Sequence, residues 1–114
     1  MEKEEILRKI YFYTEEQIYD CDIWMMVAEH SDISSSRPEA GGRWSIYEMA
    51  QSFDDLDELK SQLVLWREKF SKKLESLPKN YTGTMIDLRN DKAEIGGKIF
   101  ACDDLLEYIA KLEA

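Results

Sequence analysis

From Phe53 onward the apolar residues Leu56, Leu59, Leu63, Trp66, Phe70, Leu74 and Leu77 recur at steps of three and four. That spacing lines them up on one face of an α-helix and would scatter them over both faces of a strand. The charges agree. Asp54, Asp55, Asp57 and Glu58 stand near the start and Lys69, Lys72 and Lys73 near the end, the order the helix dipole favours. Pro78 closes the stretch, since proline cannot continue a helix. Ser45 and Glu48 have the spacing of a capping box, so the sequence predicts helical structure over 45–77.

A second periodic segment precedes it. Over residues 3–30, Ile6, Ile10, Tyr13, Cys21, Trp24, Met25, Val27 and Ala28 fall on a broad face roughly opposite Glu15, as in an amphipathic helix with that face toward the core. Thr14 and Gln17 have capping-box spacing as well, which leaves open a break near Tyr13 and Thr14. Residues 31–43, SDISSSRPEAGGR, gather Ser, Pro and Gly and read as the long loop between the two helices. The C-terminal part changes character. Thr84 to Leu88 and Glu94 to Ala101 flank the polar stretch Arg89 to Lys92 and suggest a β-hairpin over about 82–101, with Gly96 and Gly97 as a bulge. Asp103 is placed to cap a last helix over 103–113, whose apolar face is Leu105, Leu106, Ile109 and Leu112. A lone hairpin is not stable in water, so it is expected to pack on the helices. The fold expected is α+β, predominantly α: a single domain over 1–114 with two long amphipathic helices, a small C-terminal hairpin and a short final helix.

Charge restricts the partners. The chain carries a formal net charge of −9 in 114 residues, and residues 1–32 hold nine acids against three bases. Such a surface repels phosphate backbones and anionic membranes, because nucleic-acid binding relies on Lys and Arg displacing counterions. Direct nucleic-acid or membrane binding is not expected. The longest uncharged apolar run, Ile23 to Ala28, is too short to cross a bilayer, and the N-terminus opens on Glu2, Lys3, Glu4 and Glu5 instead of a basic and then apolar leader. A cytoplasmic protein is expected. Cys21 and Cys102 are too few for a disulfide framework and read as buried thiols.

No residue pattern names a reaction. The chain lacks His-x-x-x-His, Cys-x-x-Cys, Gly-x-Ser-x-Gly and the P-loop signature, so no catalytic residue, metal or cofactor is expected. His30, the one histidine, suits a helix end. The glycine pairs before Arg43 (Gly41, Gly42) and before Lys98 (Gly96, Gly97) read as loop punctuation and a hairpin irregularity.

The candidate binding residues lie on the first helix. Glu4, Tyr11, Glu15, Tyr19, Asp22, Met26 and Glu29 fall near one line of the helical wheel. Carboxylates on such a face steer encounter with a basic partner, and tyrosines supply contact area at low entropic cost. The alternative is a merely solvated acidic face, with Tyr11, Tyr19 and Met26 packed under the loop or hairpin. Asp54, Asp55, Asp57 and Glu58 form a second candidate contact, or simply the acidic first turn of a helix. The function these features suggest is a small acidic protein-binding module. It would be an inhibitor or immunity/antitoxin-type protein that occludes a basic partner such as a nuclease toxin in a 1:1 complex. Alternatives are an acidic adaptor subunit, a homodimer sharing the Leu56 to Leu77 stripe, and a ligand-binding domain or enzyme. This last would use a pocket between helices and hairpin, with Tyr13, Cys21, His30 and Asp87 as its first groups.

Overall fold

The computed structural model describes residues 1–29, 36–79 and 81–114. They form four α-helices: α1 (Lys3–Glu29), α2 (Ser36–Ala50), α3 (Leu56–Ser76) and α4 (Met85–Glu113). α1 runs unbroken through Thr14, which is buried and whose hydroxyl donates to the Tyr11 carbonyl at 2.8 Å. The hydroxyl is satisfied within the helix and needs no chain break to find a partner. α3 starts at Leu56, eleven residues after the expected start at residue 45. Asp55 is the N-cap, with Oδ1 accepting from the Asp57 and Glu58 amides at 2.8 and 3.1 Å.

No β-strand occurs among the described residues, and the expected hairpin is instead the first half of α4. Thr84 and Asp87 form a reciprocal capping box, Thr84 Oγ1 accepting from the Asp87 amide at 3.1 Å and Asp87 Oδ2 from the Thr84 amide at 3.3 Å. From there Ile95, Ile99, Cys102, Leu105, Ile109 and Leu112 keep helical spacing to the end of the chain. Asp103 is thus a mid-helix residue, paired with Arg67 at 3.2 Å, and the separate helix over 103–113 is the end of α4. The β reading followed two local signals, the β-branched and glycine residues of 94–101 and the polar stretch 89–92. Neither outweighs a capped helix that packs along its whole length.

Two further boundaries differ. Residues 36–43, expected as loop, are the start of α2, with Pro38 in its first turn, where the missing N–H costs nothing. Ser45 is not a cap; its hydroxyl donates back to the Gly42 carbonyl at 2.8 Å. The helical stretch expected over 45–77 is interrupted between Ala50 and Leu56.

The helices pack as two antiparallel pairs, α1 on α2 and α3 on α4, joined chiefly by α2 against α4. At that crossing both glycine pairs acquire a role. A Cβ on Gly42 would stand 2.1 Å from the Glu94 carbonyl oxygen, and one on Gly97 would stand 2.2 Å from that of Glu39. The two backbones touch, a closeness that only glycine allows. The contact is nearly symmetric, because Glu39-x-x-Gly42-Arg43 on α2 meets Glu94-x-x-Gly97-Lys98 on α4. Further along, Tyr47 of α2 reaches Asp104 of α4, so these two helices run in the same direction.

The core holds Ile6 and Ile10 of α1, Ile46 and Tyr47 of α2, Leu56, Leu59 and Leu63 of α3, and Leu105 and Ile109 of α4. Phe70 is buried, and Trp66, Leu74 and Leu77 pack against the same core. The Leu56 to Leu77 stripe is therefore covered within the chain by α4 and is not a free dimer seam. α1 meets α3 near their N-termini, where Lys3 pairs with Asp57 at 2.6 Å.

Candidate protein-binding face

α1 is apolar on two opposite sides. Ile6, Ile10, Thr14 and Cys21 are buried, with Tyr13, Ile18 and Met25 packed against the core. On the far side Phe12 is 61% exposed, Tyr19 66%, Ile23 40% and Met26 60%. At about 100° per residue the two sets are centred roughly opposite one another. The buried centre is turned about 50° from the position opposite Glu15. Trp24 and Val27, expected in the core, are accordingly about half exposed.

Of the predicted binding residues, Glu4, Tyr11, Glu15, Tyr19, Asp22 and Met26 are all exposed on α1. Tyr11 packs edge-on against Phe12, with ring centroids 5.9 Å apart. Glu15 accepts from Gln51 Nε2 at 2.7 Å, tying α1 to the end of α2. The side chains of Ala28 and Glu29, and all of His30, lie outside the described part of the molecule. Phe12, Glu16, Asp20 and Ile23 were missed from the sequence. Their signal was present as a second run of three and four steps, through 12, 16, 19, 23 and 26, opposite the first. From Ile10 to Glu29 the chain has five acids and no Lys or Arg.

The second acidic group stands apart from these aromatic residues, at the N-terminus of α3. Asp55 is used as the cap and Asp57 by Lys3, whose ammonium lowers the Asp57 pKa. Asp54 and Glu58 remain exposed beside them. Of the four, Asp55 and Asp57 are thus engaged at the helix start.

Of the groups proposed for an enzymatic pocket, the described ones, Tyr13, Cys21 and Asp87, occupy separate places. Asp87 caps α4, and Tyr13 joins a network in which its hydroxyl donates to Asp104 Oδ1 at 2.7 Å and Oδ2 at 2.8 Å. Tyr47 donates to the same Oδ2 at 2.7 Å, and Tyr13 stacks on Tyr108 at 4.1 Å. Burial first, and the Asp104 hydrogen bond second, push both phenols above their ordinary range. With the hairpin absent, the cleft nearest to that idea lies between α1 and α2. It measures about 260 Å³ and is lined by Asp20, Cys21, Trp24, Glu39, Ala40 and Arg43. The Arg43 guanidinium packs 4.4 Å over the Phe100 ring. Burial raises the Cys21 pKa and pushes that of Cys102 up to about 12, which keeps both as neutral thiols and weak nucleophiles. Among the described residues no group of three or more His, Cys, Asp or Glu is arranged to hold a metal ion.

The chain matches no protein-family model, no curated protein and no solved structure. No helix among the described residues is long and apolar enough to cross a membrane.

Proposed function

We propose that this chain is a small acidic protein-binding module that occludes a basic partner with the outer face of α1. It would act in the cytoplasm as an inhibitor or immunity/antitoxin-type protein, for instance against a nuclease toxin. The observation that carries the reading is the exposure of Tyr11, Phe12, Tyr19, Ile23 and Met26 among carboxylates on a helix already anchored by its other side. Large apolar side chains left in water lose the free energy that burial would supply, about 1.5–3 kcal/mol each when fully covered. A contiguous set of them marks an interaction surface. The carboxylates around them favour a partner rich in Lys and Arg and raise its association rate. A nuclease must present such a surface to hold phosphates.

The test is affinity capture from lysate of the source organism at low and high salt, comparing wild type with a Glu15→Gln/Tyr19→Ala/Asp22→Asn variant checked for native helicity. A stoichiometric basic protein that salt releases and the variant fails to retain is the expected result. Retention of that protein by the variant, or capture of no basic protein by wild type, would sink the reading.

A further inference from the structure

Resting on that reading, we infer that the partner element seated on α1 is a cationic amphipathic α-helix. The exposed positions Phe12, Glu16, Tyr19, Ile23 and Met26 advance by four, three, four and three. This alternation keeps one line of a helix facing a second helix laid along it, each side chain entering a gap between four of its neighbour's. The seam runs over 14 residues of rise, about 21 Å, or two heptads. Two heptads are too short to hold a pair of helices by apolar contact alone, so charge has to contribute.

The flanks specify its sign. Glu15 and Asp22 border the line on one side and Glu16 and Asp20 on or beyond the other, all exposed, while the bases of α1 are confined to Lys3, Arg8 and Lys9 near its start. A partner helix with apolar residues at its own seam and Lys or Arg beside them meets complementary charge from Glu15 to Asp22, with Arg8 and Lys9 bounding that stretch at its N-terminal end. A second copy of α1 would set these carboxylates against one another, and like charges across an interface are penalised. An anionic lipid surface is disfavoured on the same ground.

The probe is a synthetic helix of two to three heptads with Leu at the seam and Lys and Arg on its flanks, compared with a scrambled peptide of identical composition. We expect the heptad peptide to gain helicity on binding and to bind about tenfold more tightly than the scrambled one, the effect of about 1.4 kcal/mol. Its chemical-shift footprint should cover Phe12, Tyr19, Ile23 and Met26, and a Tyr19→Ser/Ile23→Ser variant should abolish the preference. Both residues are exposed, so the variant is expected to keep its fold, and its own dispersion spectrum reports whether it does. Equal binding of the two peptides, a footprint elsewhere, or self-association of the protein through α1 would overturn the inference. A captured basic partner sensitive to Glu15 and Asp22, together with equal peptide binding, would remove the helical partner while leaving the occlusion reading. A seam-specific peptide with no partner captured would do the reverse.

Discussion

Replacing adjacent glycines of α4 by alanine should move stability in opposite directions. Both Gly96 and Gly97 lie inside the helix, and each alanine there gains helix propensity, up to about 1 kcal/mol. At Gly96 nothing stands within 4 Å of the new Cβ, so the gain is realised and the protein should be stabilised by about 0.5–1 kcal/mol. At Gly97 the new atom would meet the Glu39 carbonyl oxygen at 2.2 Å, where ordinary contact begins at 3.4 Å. That oxygen belongs to backbone and cannot rotate aside. α2 must retreat from α4, loosening the Gly42 contact at the same crossing and the packing beyond it. Overpacking of this kind costs about 1–3 kcal/mol. Set against the propensity gain, Gly97→Ala should range from slightly destabilising to a loss of about 2 kcal/mol. It should in every case fall below Gly96→Ala. Gly42→Ala should behave like Gly97→Ala, its Cβ meeting the Glu94 oxygen at 2.1 Å. The Gly42→Ala/Gly97→Ala double variant should lose less than the sum, because one displacement relieves both clashes. Urea denaturation followed by circular dichroism measures all four. A Gly97→Ala protein as stable as Gly96→Ala would refute the backbone contact between α2 and α4.

Tyr47→Phe removes a donor to the Asp104 carboxylate, which keeps Tyr13; the expected loss is about 1–2 kcal/mol in the urea midpoint analysis, and an unchanged midpoint would contradict the network. Because both phenols have raised pKa values in the fold, the unfolded chain releases their protons first. The stability they contribute is complete below about pH 10 and is lost as pH rises above it. Tyr47→Phe should flatten that alkaline decline in thermal melts, and a parallel decline would argue against it. Cys102 is fully buried and its pKa is pushed up to about 12, so iodoacetamide should label it only as fast as the protein unfolds. Labelling at the rate of the urea-denatured chain would contradict that burial.

The sequence by itself determined α3, most of α1 and the sign of the charge. Phe53 to Leu77 repeat at three and four and Pro78 closes the run, signals local to the segment. The Ser45 and Glu48 spacing carries the expected helix back to residue 45, and only the structure places its N-cap at Asp55. It also placed Tyr11, Tyr19 and Met26 on a line with Glu15 and Asp22, because angular position on a helix follows from residue number. The nature of residues 84–101 was decided elsewhere. Read locally, Gly96 and Gly97 weaken a helix and Thr84 to Leu88 resembles a strand. The helix prevails because Ile95, Gly97, Ala101 and Cys102 are buried in the core and the Gly97 backbone meets α2. The same holds for residues 36–43, whose glycines are helical at that crossing. Which side of α1 is buried also required the fold. Periodicity reveals an apolar face, but on a helix with two of them only the position of α2 and the core decides that Ile10 and Cys21 are covered while Phe12 and Ile23 face solvent. Local sequence sets the conformation a segment prefers; the contact that makes a glycine favourable or an aromatic residue exposed exists only when distant helices have met.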